Sequence, residues 1–371
     1  MDTMLPPLLD GARSLDDLLR FDRYIAVGAN SGGDQVRRWL AARGKEVMAF
    51  ADLSPALQET VRDGLPVLAP DRCRARMDAR TAFVIGTVRQ KEAAELLVET
   101  LGVDPGQVFP FVNPMFAAHY RAGIQAALAP RLAAVRSLLA DAQSRAYFDR
   151  VCAFYRTLEP RHLAAQPLRV GQYGYRAPGA NPRPGARIVD CGAFTGDTFP
   201  DFLEATGGDC HIHALEAFAP NFVRLTDFVA RNGLGGKVRP RRVAVAGAPG
   251  LITICGDDSI ADGCARLGGG GAADTVEAQT LDNLFAGERI DYLKMDIEGA
   301  DLDALEGGRR LLRACRPVVA VAAYHKPEHV VEIAEFLQQT LAPCRLYAAH
   351  DPNWVFHIHY IAVPDERAAH A

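Results

Sequence analysis

The 371-residue sequence contains no Cys-x-x-Cys pair; its eight cysteines are scattered at 73, 152, 191, 210, 255, 264, 315 and 344. This spacing excludes a zinc ribbon and a disulfide framework, and it leaves the cysteines as small hydrophobes in a reduced protein. No apolar run approaches the roughly 20 residues that cross a bilayer. The longest, Pro317 to Tyr324, fits a buried strand. Residues Met1 to Pro7 show no basic leader before an apolar stretch, so the expected location is cytoplasmic. Neither sign of charge dominates. A net charge of −4 and a pI near 6.2 give no footprint for nucleic acid or an anionic membrane.

What is present is a hydrophobic fraction of 49% over a length that accommodates two domains. Residues 1–114 read as a small Rossmann-like α/β domain. A strand at Tyr24–Val27 leads into the glycine turn Gly28-Ala29-Asn30-Ser31-Gly32-Gly33. A helix carrying Val36, Trp39 and Leu40 follows, and a further strand ends at Asp52. The turn and its distal acid approximate a dinucleotide fingerprint with Asn30 at the middle glycine. The domain is therefore read as nucleotide-binding, substrate-binding or structural. Residues 115–166 have helical periodicity, with Pro130 separating Ala118–Leu128 from Arg131–Leu158, and form a helical connector. Pro167 to Gly185, rich in Gly, Pro, Tyr and Arg, is a linker or a loop over the site.

The third segment, residues 167–371, is organised around Arg187-Ile188-Val189-Asp190-Cys191-Gly192-Ala193-Phe194-Thr195-Gly196-Asp197. A short apolar run, a glycine turn and a helix start present backbone N–H groups to a ligand. The strand expected at Cys210–Glu216 also ends in an acid, as does the one at Ile290–Asp296. Strands alternating with helices imply a doubly wound α/β sheet. Ligands of such sheets lie beyond the carboxyl ends of the strands, where Asp190, Glu216 and Asp296 converge. Glu216 suits the two hydroxyls of a ribose. A carboxylate edge favours a nucleoside with a cationic centre and no phosphates, which is S-adenosylmethionine.

Arg187–Gly196, Ala214-Leu215-Glu216-Ala217-Phe218, Ala244-Val245-Ala246, Thr280-Leu281-Asp282 and Asp291–Ala300, in that order, resemble the motifs of FkbM-type S-adenosylmethionine-dependent methyltransferases. The resemblance implies a Rossmann-like class I methyltransferase sheet and methyl transfer to a hydroxyl of a sugar, glycoconjugate or natural product. It implies a cofactor turn of Asp190, Gly192, Ala193, Phe194, Thr195 and Gly196. Glu216 would hold the ribose, with Phe218 and Asn221 nearby, and Val245 and Ala246 would line the adenine side. Asp296, which also borders the cofactor, would face the transfer centre with Lys294, Glu298 and His325. Two departures stand out: Phe194 occupies a position where many members carry Asn, and Ala322-Ala323-Tyr324 precedes His325 where a Glu before the His is frequent.

Asp296 is the first candidate for the base that takes the hydroxyl proton, and His325 the second. Glu298 as a helix cap and Lys294 as an ion-pair partner are the competing structural readings. No metal is expected, although Asp296 and Glu298 offer ligands for a divalent ion. The implied partner is a small-molecule or glycan acceptor, with homo-oligomerisation left open. Two other functions stay open at this point: a nicotinamide-dependent oxidoreductase using Gly28, Gly33 and Asp52, and a non-catalytic ligand-binding assembly protein.

Overall fold

The structure, a computed structural model, describes residues 15–87, 90–111, 122–157, 177, 179–256, 266–267, 272–350 and 358–368. Gly268–Gly271, His357 and most of the Pro167–Gly185 stretch lie outside the described residues.

The first unit runs α1 (Leu15–Leu19), β1 (Arg23–Val27), α2 (Ser31–Ala41), β2 (Glu46–Ala51), β3 (Val61–Arg62), β4 (Leu65–Leu68), α3 (Pro70–Arg74), β5 (Thr81–Ile85), α4 (Gln90–Glu95) and β6 (Val108–Pro110). Its six strands pair in the order β3-β4-β2-β1-β5-β6. Both faces are covered. Ile25 and Val27 of β1 pack into one cluster, Tyr24 and Ala26 into another. This two-sided burial explains why the parallel strands read as unbroken apolar runs.

Two helices follow, α5 (Ala122–Leu138) and α6 (Ala142–Thr157). The break expected at Pro130 is absent: α5 runs through it, and the chain turns at residues 139–141 instead. Leu128, Leu132 and Val135 lie on one buried stripe of α5 that belongs to the core of the second sheet. Packing of that stripe outweighs the missing proline N–H. Ala140 N–H donates to the Leu346 carbonyl at 2.8 Å, tying the turn to the sheet edge.

The second unit comprises β7 (Ala186–Cys191), α7 (Phe199–Ala205), β8 (Cys210–Glu216), α8 (Ala219–Arg231), β9 (Val238–Arg242), β10 (Ala244–Val245), β11 (Gly250–Gly256), β12 (Arg266–Leu267), β13 (Ala272–Gln279), α9 (Leu281–Leu284), β14 (Tyr292–Met295), α10 (Asp301–Glu306), α11 (Arg309–Cys315), β15 (Val318–Ala322), α12 (His329–Leu341), β16 (Cys344–His350), β17 (Ile358–Pro364) and α13 (Asp365–Ala368). Seven strands pair as β16-β17-β15-β14-β7-β8-β9. Strands β7, β8, β9, β14 and β15 are parallel, and β17 runs antiparallel between β15 and β16. This is the Rossmann-like, doubly wound α/β sheet that the sequence predicts. The chain steps outward from β7 to β9, then returns to lay β14 on the other side of β7. The order therefore switches between β7 and β14.

Two spans of regular structure are divided. Val238–Val245 splits at Val243: β9 stays in the main sheet, while β10 enters a four-stranded sheet of order β10-β13-β11-β12. The helical stretch after β14 breaks between α10 and α11 at Gly307-Gly308, where a Cβ on Gly307 would lie 2.5 Å from the Ala246 carbonyl oxygen.

Closest approach at the switch occurs at Gly192. It has φ +74°, and a Cβ there would lie 2.0 Å from the Asp296 carbonyl oxygen. Gly192→Ala combines a left-handed backbone with a main-chain clash. It should destabilise the protein by more than about 2 kcal/mol, read as a lowered urea midpoint. An unchanged midpoint would mean the β7 turn and the β14 end are not locked together.

Candidate functional site

Parallel strands end on one edge, so β7, β8, β14 and β15 deliver Asp190, Glu216, Asp296 and His325 to the same side of the sheet. Asp190 sits inside β7 with no exposure. Its Oδ2 accepts a hydrogen bond from Thr198 Oγ1 at 2.6 Å, and its Oδ1 lies 3.0 Å from Lys294 Nζ. Lys294, 3% exposed, also donates to the Gly192 carbonyl at 2.6 Å. Burial acts to lower the lysine pKa, but Asp190, Asp296 and Asp197 reverse this and raise it. Lys294 is thus a buried cation that grips the glycine turn.

The turn places Gly192 at φ +74°, Phe194 at +49° and Gly196 at +87°. Asn adopts the left-handed region more readily than Phe, which gives a conformational reason for the family's Asn at the position of Phe194. Ala193 is fully buried and Thr195 half-buried. Glu216, 6% exposed, closes the other side of the turn. Its Oε2 accepts the Phe194 N–H at 2.9 Å and its Oε1 the Phe218 N–H at 2.9 Å. Burial pushes its carboxyl up to about 7, against the pull of those two N–H groups and Lys294.

Phe218 reaches the site through its backbone only. Its ring packs with Ala244, Ile254, Val276 and Ala278 under the small sheet. Asn221 is buried in the first turn of α8. Val245 ends β10, and the Ala246 N–H donates to the Gln279 carbonyl at 3.0 Å.

On the far side of β14, Asp296, Glu298 and His325 come together. His325 Nε2 lies 3.3 Å from Asp296 Oδ1 and 3.7 Å from Glu298 Oε2. Tyr324 O–H donates to Asp296 Oδ2 at 3.2 Å, and its ring lies 4.2 Å from that of His325. The other imidazole nitrogen, Nδ1, faces Asp301 Oδ2 at 3.1 Å. Burial alone would lower the His325 pKa; Asp301, Glu298 and Asp296 lift it to about 9. Asp301 has no exposure and also accepts the Ile297 and Gly299 N–H groups, each at 3.0 Å. Burial would raise its carboxyl, and His325 with these N–H groups holds it below its ordinary value.

Asp301 and Thr198 are absent from the sequence-derived set. The signal for Asp301 was a carboxylate four residues after Ile297 at a helix start, where it caps the turn it follows. In the first unit, Asp52 accepts the Ala29 N–H at 2.7 Å and the Ser54 N–H at 2.8 Å, while Asn30 Oδ1 accepts the Gly33 N–H at 3.2 Å. These groups brace their own turn, and Asp52 repeats the strand-end arrangement of Glu216.

Residues 190–344 match the family described as Methyltransferase FkbM domain. The methyltransferase FkbM from Methylobacillus flagellatus KT is similar at 17% identity with a TM-score of 0.66, covering 96% of this chain and 95% of that one; the fold is shared. Aeropyrum pernix fibrillarin with bound S-adenosyl-L-methionine is similar at 15% identity and a TM-score of 0.33, over 49% of this chain and 67% of that one. UDP-D-quinovosamine 4-dehydrogenase from Vibrio fischeri is similar at 20% identity and a TM-score of 0.21, over 25% of this chain and 80% of that one. No curated protein matches the sequence.

Two variants probe the turn. Phe194→Asn relieves a left-handed aromatic residue and should stabilise the protein by about 1 kcal/mol, seen as a higher urea midpoint. A lower midpoint would show that contacts of the Phe194 ring outweigh its backbone strain. Lys294→Met strands the Asp190 charge and should cost about 3–5 kcal/mol, much of it recovered in the Asp190→Asn/Lys294→Met pair. Equal thermal stability of the single and double variants would refute the coupling.

Proposed function

We propose that this protein, with its FkbM-type domain, is an S-adenosylmethionine-dependent O-methyltransferase acting on a hydroxyl of a sugar, glycoconjugate or natural product. The observation that carries this reading is Glu216: a buried carboxylate at the end of β8, held by the Phe194 and Phe218 N–H groups across the mouth of the Gly192–Gly196 turn. Each bonded oxygen keeps a further acceptor position, which suits the 2′- and 3′-hydroxyls of a ribose. The turn also fits the cofactor. Gly192 and Gly196 take left-handed backbone angles of +74° and +87°, which shape the turn beside Glu216. A carboxylate edge repels a pyrophosphate and tolerates a sulfonium.

When bound, S-adenosylmethionine supplies an electrophilic methyl carbon. The rest falls to the protein. Glu216 and the turn fix the nucleoside, so acceptor and donor meet in line. Asp296, oriented by Tyr324 and His325, takes the proton that the acceptor hydroxyl loses as its oxygen gains the methyl group. Asp301 fixes the His325 ring. Lys294 is a positioning residue, since it holds the Asp190 carboxylate and the Gly192 carbonyl.

Ribose hydroxyls donate to the ionised form of Glu216, whose burial places its pKa near 7. Cofactor affinity should therefore be flat above that pH and fall as the pH drops through it. The loss should be about tenfold between pH 8 and pH 6. Calorimetric titration with S-adenosylmethionine across that range is the test, with Glu216→Gln expected to flatten the profile. No binding at high micromolar cofactor would sink the reading. Incorporation of the labelled methyl group into a base-stable ether on a hydroxyl acceptor would separate O-methyl transfer from ester formation.

A further inference from the structure

We propose that Asp296, Glu298 and His325 form a divalent-cation site of the magnesium or manganese kind, which holds the acceptor hydroxyl beside the methyl donor. The inference rests on the methyltransferase reading for its role, but not for its geometry. One ligand atom from each residue lies within 4.8 Å of the other two. His325 Nε2 is 3.3 Å from Asp296 Oδ1 and 3.7 Å from Glu298 Oε2. Neighbouring ligands of an octahedral ion with bonds of about 2.1 Å stand about 3 Å apart, so a small closure seats an ion.

A second observation, outside these three residues, points the same way. His325 has its other nitrogen on Asp301, a carboxylate with no exposure that is itself fixed by two backbone N–H groups. Metal-ligating histidines are commonly oriented in this manner, with one nitrogen on a carboxylate and the other free to face the ion. The charge balance agrees. Asp296, Glu298 and Asp301 surround a single imidazole, while the Lys294 ammonium is engaged by Asp190. A divalent ion would offset the negative charge that a single imidazole leaves in excess there.

Two carboxylates and one imidazole leave half of an octahedron open. A hydroxyl group can bind there and lose its proton more easily. That proton passes to the Asp296 oxygen away from the ion and then to solvent. The hydroxyl oxygen forms its bond to the methyl carbon, and the electron pair of the broken carbon–sulfur bond stays on sulfur. A vicinal diol, as in a sugar, offers two such oxygens.

The test uses the full-length protein stripped with EDTA and titrated with Mn²⁺, free ion being followed by electron paramagnetic resonance. The expected result is one Mn²⁺ per chain, with affinity falling at least tenfold in Glu298→Gln and in His325→Ala. Asp301→Asn should weaken binding by about 10- to 100-fold through the ring orientation. Glu298→Gln is the decisive variant, because its side chain is partly exposed and its loss leaves the core intact. Absence of Mn²⁺ binding at about 1 mM, the weak end of protein sites, overturns the proposal, as does unchanged affinity in Glu298→Gln. S-adenosylhomocysteine binding by the metal-free protein is read separately. If it persists while Mn²⁺ fails to bind, the cation site falls and the methyltransferase reading stands. If it is absent while Mn²⁺ binds in the expected pattern, the cation site is supported and that reading falls.

Discussion

One buried ammonium holds the site's architecture. Lys294 lies on β14, yet it reaches across to the Asp190 carboxylate of β7 and to the carbonyl of Gly192 just beyond that strand. These two strands meet where the sheet order reverses, so this single cation bridges them at the switch point. A lysine stripped of water would ordinarily favour its neutral form; the surrounding acids prevent this. Glu216 hangs from the same turn through the Phe194 N–H. The turn is thus held by a charge fixed where the backbone must bend.

The two halves of the crevice handle carboxylates differently. On the β7–β8 side, each acid is partnered by N–H groups, a hydroxyl or the Lys294 ammonium, and the result is a fixed scaffold. On the β14–β15 side, three acids share one imidazole. Excess negative charge concentrates there, close to where a sulfonium methyl would point under the proposed function. Under that proposal, the asymmetry would separate binding from chemistry within one sheet edge.

Much of this was legible in the sequence. Strand-terminal acids at Asp190, Glu216 and Asp296 report a parallel sheet because side-chain alternation and a glycine turn fix where each strand stops. The Rossmann-like order and the FkbM domain followed from the same blocks. Other features were hidden because they depend on tertiary packing. Pro130 looked like a terminator until its helix was seen buried along one stripe. Val243 gave no sign that its strand changes sheets. Asp301 looked like an ordinary helix-start acid, since its partnership with His325 spans 24 residues. The Phe218 ring faces a core shared by β10, β11 and β13, and β13 gave no sign of itself in the sequence.

Strand β17 has a consequence for how the chain comes to be folded. It lies between β15 and β16, pairing antiparallel with both, although it follows them in sequence. During synthesis, β16 has no partner within this sheet until residues 358–364 emerge, and the apolar edge of β15 stays open for the same interval. The sheet therefore cannot be completed one strand at a time from the N-terminus; its last-made strand is its keystone. Such non-local closure slows folding and leaves sticky edges exposed meanwhile. The first sheet has no such dependence, and its parallel strands can be complete well before the ribosome reaches β7.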